Sequence, residues 1–214
     1  MGIPGPDGRH TVQAAGVGVV QSGSSAVLVT VAPGGALLDR RRLDLIDRGL
    51  PTHPHHHEGS WAVGRYLNTP GARVLPLSDV VALVERVRAS AASHAQKGLE
   101  ALAAVVPLPI AAIALRACPS LPPTTEERIA DNRAQTVADS VMYREALATA
   151  AEARGWHVHW YDDERVFREA EAALDRNVEA LVSAMGRSIG PPWRAQHKLA
   201  AAAALAVAGG SRRR

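Results

Sequence analysis

Short apolar runs separated by turn residues open the chain. Thr11 to Val20 (TVQAAGVGVV) and Ser25 to Ala32 (SAVLVTVA) flank the turn signal Gln21-Ser22-Gly23-Ser24. Pro33-Gly34-Gly35 marks a second turn. Ala36 to Asp47 (ALLDRRRLDLID) follows, and its later half alternates polar and apolar positions as a half-buried strand does. These three runs predict an antiparallel meander. Residues 48–76 carry four prolines (Pro51, Pro54, Pro70, Pro76) and no regular period, which predicts an irregular loop that is functional or ordered on the surface.

The second half alternates helices and strands. Val80, Val81, Leu83, Val84, Val87, Leu99 and Leu102 give a helical stripe, with Ser78 as N-cap and Asp79 in the first turn. Ile110 to Arg116 reads as a strand buried on both faces. Thr124 and Glu127 stand at capping-box spacing, opening a helix of one or two pieces that Gly155 stops. Trp156 to Tyr161 is a compact strand. Asp162 or Asp163 then caps a helix to about Leu174. A short helix near Val178 to Met185 is broken by Gly190-Pro191-Pro192, and an alanine-rich helix spans Ala195 to Ala208. The expected organisation is a disordered segment at 1–10, one α/β domain over 11–208 and a disordered basic tail at 209–214.

Composition narrows the function classes. The 214 residues carry a net charge of +3, with arginine clusters at Arg40–Arg42 and Arg212–Arg214, which permits nucleic acid as a partner without requiring it. Aromatic residues make up only 4 %, and no row of them suggests a platform for stacking bases. One cysteine, Cys118, excludes an internal disulfide; a buried, inert thiol is the expected state. No apolar run approaches the ~20 residues that span a bilayer, and the N-terminus lacks a signal-peptide pattern, so a cytoplasmic protein is expected, with no membrane partner.

Three places carry candidate chemistry. His53, His55, His56, His57 and Glu58 lie in THPHHHEGS. Imidazole is a common metal ligand, so His55, His57 and Glu58 are candidate ligands of a divalent metal, the one cofactor class suggested. His55, His57 and Glu58 could also line a cleft and serve proton transfer. An extended segment would aim neighbouring side chains to opposite sides, leaving at most two or three to converge. Arg40 and Arg42 share a strand face and could clamp phosphate, or could simply guard an exposed edge strand beside Asp39, Asp44 and Asp47. Arg116 ends a central strand, where α/β sheets place ligands. In GPPWRAQHK, Trp193 can anchor the entry to the last helix, while His197 and Lys198 fall in its first turns, where helix N-termini attract phosphate. The helix around Asn132 to Glu145, with Gln135, Asp139, Tyr143 and Arg144, reads as ordinary amphipathic structure.

The element order β-β-β-α-β-α-β-α and the small-residue last helix WRAQHKLAAAAALA resemble the ribonuclease H-like superfamily, and within it the bacterial Holliday-junction resolvases. LLDRRRLDLID, HPHHHEGSW, ADSVMYREAL and GPPWRAQHK also resemble a bacterial family to which no activity is assigned. The superfamily resemblance implies a mixed sheet with helices on both faces. It also implies divalent metals held by an Asp of the first strand, a carboxylate ending the fourth, and Asp or His on the last helix. This chain departs at each place: Gln21 and Ser22 end the first strand, Arg116-Ala117-Cys118 the fourth, and the last helix offers Gln196, His197 and Lys198. The expectation is therefore a non-catalytic, degenerate ribonuclease H-like domain that binds nucleic acid or a protein complex. The alternatives are a metal-dependent nuclease with an unusual His-containing site, or a small-molecule or nucleotide enzyme on the same architecture.

Overall fold

The computed structural model describes residues 13–210. Strands β1 (Ala15–Ser22), β2 (Ser25–Val31) and β3 (Leu37–Asp44) form the expected meander, β1 pairing antiparallel with β2 and β2 with β3. Helices α1 (His57–Ala62) and α2 (Leu77–Val105) lead to β4 (Ile110–Arg116). Helices α3 (Thr125–Ala130) and α4 (Asn132–Glu152) precede β5 (His157–Tyr161), and α5 (Val166–Leu174), α6 (Val178–Ile189) and α7 (Ala195–Gly210) complete the order. The sheet runs β3-β2-β1-β4-β5, with β4 parallel to β1 and β5 parallel to β4. This is the mixed, five-stranded sheet expected from the element order.

Helices cover both faces. Val17 and Val19 of β1 join one core with Val84 and Leu99 of α2 and Met142 and Leu147 of α4. Val29, Val31 and Ala114 join a second core with Val166 of α5, Val182 of α6 and the alanines of α7. The alternation GVGV in β1 decides this division. Its valines face α2 and α4, and its glycines face α7: a methyl group at Gly16 would lie 2.7 Å from the Ala204 carbonyl oxygen, and one at Gly18 would strike the backbone of Ala200 and Ala204. Two residues of strand advance about 6.7 Å and four residues of helix about 6 Å. Glycines two apart therefore match alanines four apart, and the helix backbone rests directly on the strand.

Several local expectations are corrected. Residues 48–76 contain a helix, α1, so the histidine tract is not wholly extended. Helix α2 takes Pro76 as its N-cap, one residue before the helix begins, so Ser78 lies inside the first turn. The Thr124–Glu127 capping box forms, but Asp131 ends α3 and caps α4 by accepting from the Arg133 and Ala134 N–H groups. Asp162 accepts from the Glu164 N–H in a turn that precedes α5 instead of capping the helix itself. Helix α7 runs on through Gly209 and Gly210; the expectations for 1–10 and 211–214 lie outside the described residues. Among the described residues, no helix is long and apolar enough to cross a membrane.

Candidate functional site

Parallel strands β1, β4 and β5 present their C-terminal ends together, and α/β sheets place ligands at such an edge. Gln21, Arg116 and Tyr161 end these strands and line a cavity of about 90 Å³ with Val20, Ser140, Arg144, Asp163 and Leu199. Arg116 reaches Asp163 at 2.8 Å and is itself 61 % exposed. The other Asp163 oxygen, Oδ1, is buried without a hydrogen-bond partner. Arg144 donates to the carbonyl oxygens of Ser140 (3.0 Å) and Ala117 (2.7 Å), fixing the end of β4 to α4. Tyr161 donates to the Val19 carbonyl at 2.8 Å, and burial raises its pKa, so the phenol stays protonated. Cys118 lies just beyond; burial raises its pKa too, which keeps it a thiol and a poor nucleophile.

The metals implied by the superfamily resemblance do not fit this edge. Protein-bound magnesium keeps several waters but is anchored by one or two free carboxylates beside the substrate phosphate. The edge offers a neutral amide at Gln21, two guanidinium groups, and one carboxylate already paired with Arg116. Among the described residues, no group of three or more His, Cys, Asp or Glu side chains could hold a metal ion.

The histidine tract has a different architecture from the one its sequence suggested. His55 is fully buried, with Nδ1 donating to Asp139 Oδ1 at 2.8 Å and Nε2 buried without a partner. Asp139 also accepts from the backbone N–H groups of His55 (3.0 Å) and His56 (3.1 Å). Gln135 accepts from Ser60 and Arg65, and Tyr143 donates to the Thr52 carbonyl. The polar face of α4 thus faces inward and grips the loop. His57 lines one cavity with His56, Ser60, Trp61, Tyr66 and Thr69. Glu58 lines another, of about 500 Å³, with Arg73, Asp79 and Arg86. His55, His57 and Glu58 therefore do not converge on one point.

The remaining candidates also separate. Arg40 donates to the carbonyls of Gly190 (3.1 Å) and Pro192 (2.7 Å), tying β3 to the α6–α7 connection. Arg42 pairs with Asp44 at the surface, and Arg41 makes a two-pronged pair with Asp39. Trp193 packs over Gly186 and stacks on His197, whose Nδ1 accepts from the Arg194 N–H. Lys198 is exposed beside it. Asp39, the His55–Glu58 segment, Arg116 and His197 thus occupy separate surroundings. The sequence reading missed Arg144, Asp163, Trp61 and Tyr66 as site-lining groups. Arg116, at the end of β4, is the sequence signal that leads to the first two.

Two histidines are held below the ordinary imidazole value of 6.5. His56 is lowered by burial first and by His57 next, with Asp139 opposing; His197 is lowered by burial and then by Arg40 and Arg194. The unfolded chain therefore binds more protons just below that value, so folding stability rises with pH across the window and falls as pH drops through it. The melting temperature is expected to be lower at about pH 5.5 than at about pH 7.5. His197→Gln, which cannot take the proton, should narrow that difference. An unchanged difference would remove His197 from the account.

No protein-family model matches the chain, and no curated protein matches it. Among solved structures the chain is similar to the RuvC structure of Thermus thermophilus, at 15 % identity and a TM-score of 0.47, covering 92 % of this chain and 95 % of that one.

Proposed function

We propose that the chain is a ribonuclease H-like binding domain that holds nucleic acid by its phosphates at the C-terminal edge of the sheet, without metal-assisted hydrolysis. The observation that carries this reading is the Arg116–Asp163 pair beside Gln21 and Arg144, in the place where metal-binding carboxylates would be required. Two-metal hydrolysis needs cations held on both sides of the phosphate, and a guanidinium in that position repels them. The same guanidinium is a good phosphate ligand. Arg116 is exposed enough for a phosphate to reach it, and its remaining N–H groups can bind that phosphate while the pair with Asp163 holds the guanidinium in place.

Fluorescence anisotropy with labelled single-stranded, duplex and branched DNA, over a salt series, tests this. Binding should weaken steeply as salt rises, and Arg116→Glu should reduce affinity about tenfold or more and flatten the salt slope by about one phosphate contact. Incubation of the same DNA with Mg²⁺ or Mn²⁺ should leave it uncut. Cleavage that disappears in His57→Ala or His197→Ala would replace this reading with a histidine-based nuclease. Absence of any binding at low salt would remove nucleic acid as the partner.

A further inference from the structure

We propose that the pocket walled by His56, His57, Trp61 and Tyr66 receives a single unstacked nucleobase. This deepens the nucleic-acid reading above and rests on it for its biological ligand. Four ring-bearing side chains line an open cavity of about 330 Å³, together with Ser60 and Thr69. That is the lower range of small-ligand pockets, and aromatic walls suit a flat ring.

The polar groups of the pocket are of two kinds. The Ser60 hydroxyl is committed to the His56 carbonyl and Gln135, and the Thr69 hydroxyl to the Tyr66 carbonyl. The ring nitrogens of His56 and His57 make no side-chain hydrogen bond among the described residues. A neutral imidazole offers one donor and one acceptor, which is what the edge of a base requires. Burial and the neighbouring His57 both favour the neutral form of His56. The rings extend in series: His56 and His57 lie 5.2 Å apart between centroids, and His53 and His57 5.5 Å apart. His53 in turn sits beside the β1–β2 turn, where a methyl group at Gly23 would lie 3.9 Å from its Cε1. Gln21 bonds the Gly23 carbonyl of that turn. The ring series therefore begins at the same end of β1 that bounds the Arg116 cavity.

The pocket is built in advance. Asp139 and Gln135 fix its floor, and Arg65 donates to the carbonyls of Ile129 and Ala130 just before the pocket's outer wall. That wall is Tyr66, 54 % exposed, with φ of 55°, a left-handed backbone that a tyrosine rarely adopts. Strain of this kind persists where the surroundings impose it, and it gathers at ligand sites.

The test uses the full chain with three probes: an eight-residue deoxyadenosine strand, an abasic strand of the same length, and adenosine alone. The base-bearing strand should bind roughly tenfold or more tightly than the abasic one, as stacking of one base provides. Tyr66→Gly removes the ring while suiting the positive φ, so it should erase that ratio with an unchanged or higher melting temperature. Adenosine should saturate the wild type, read by saturation-transfer NMR, and not Tyr66→Gly. Arg116→Glu should weaken both strands and preserve their ratio. Equal binding of the two strands without adenosine saturation would overturn the base pocket and leave the phosphate reading standing. Failure of both strands, with Tyr66-dependent adenosine binding intact, would overturn the phosphate reading alone. Tighter binding of N-acetyltryptophanamide than of adenosine would assign the pocket to a protein side chain and overturn the proposal.

Discussion

Gly18→Ala is expected to cost as much stability as any single methyl group can in this chain. The added carbon would overlap the carbonyl of Ala200 and the backbone nitrogen of Ala204. A side chain in the way could turn aside, but a helix backbone cannot, so the whole of α7 would have to lift. Overpacking of a core costs about 1–3 kcal/mol and occasionally more, and this site belongs at or beyond the upper end. Lifting α7 would also loosen its alanines, Ala200 to Ala204, all fully buried, from the sheet. Urea unfolding of Gly18→Ala against Gly98→Ala makes the comparison clean. At Gly98 the new methyl meets only the side chain of Leu43, which can rotate, and a helical alanine recovers up to about 1 kcal/mol over glycine. Gly98→Ala should therefore be much the milder change. A Gly18→Ala protein as stable as the wild type would mean that α7 does not rest on β1.

Asp139→Ala is expected to bring a loss of comparable size. Asp139 is 2 % exposed and accepts three hydrogen bonds, two from backbone N–H groups and one from the buried imidazole of His55. Alanine leaves these donors without acceptors in a site closed to water. Each buried donor left without an acceptor costs about 1–3 kcal/mol. Asp139→Asn should be intermediate, since one acceptor oxygen survives while its amide nitrogen confronts a donor. Urea unfolding measures the total. Hydrogen exchange locates it: the His55 and His56 amides should lose protection more than the amides of β1. A loss under about 1 kcal/mol would show that the loop is held by Gln135 and Tyr143 without Asp139, within the range of ordinary surface changes.

These two residues also show where sequence pattern stops being informative. The meander was legible because its determinants are local: β-branched runs, Gly-containing turns and a charged third strand. The alanine-rich last helix was legible for the same reason, as was the absence of carboxylates at the ends of β1 and β4. The role of α4 was not. Gln135 and Asp139 lie four apart on what reads as a solvated stripe, yet both are buried, because a segment 84 residues earlier in the chain folds over them. Nothing local announces that cover. Helix α1 was missed because it is one and a half turns long and its N-cap, His56, makes no side-chain capping bond. Trp61 and Tyr66 stand apart from the histidine tract in sequence, and only a short helix and the turn after it bring them around one cavity with His56 and His57. Trp193 and Arg40 could be read either way from sequence, and geometry gives both structural partners.

The seating of α7 on the glycine face of β1 also bears on how the chain is made. The strand that begins the sheet is finished by a helix some 180 residues later. A ribosome that has delivered everything up to Gly190 has produced all five strands, but the face of β1 formed by Gly16 and Gly18 still has no lid. Until α7 is made, that nascent sheet exposes the backbone of β1, and Val29, Val31 and Ala114 have only α5 and α6 to share their core. Contacts so distant in sequence form slowly, and uncovered sheet is the kind of surface on which incomplete chains adhere to one another. Helix α7 thus closes the first strand, and this half of the molecule can be completed only after that helix has been made.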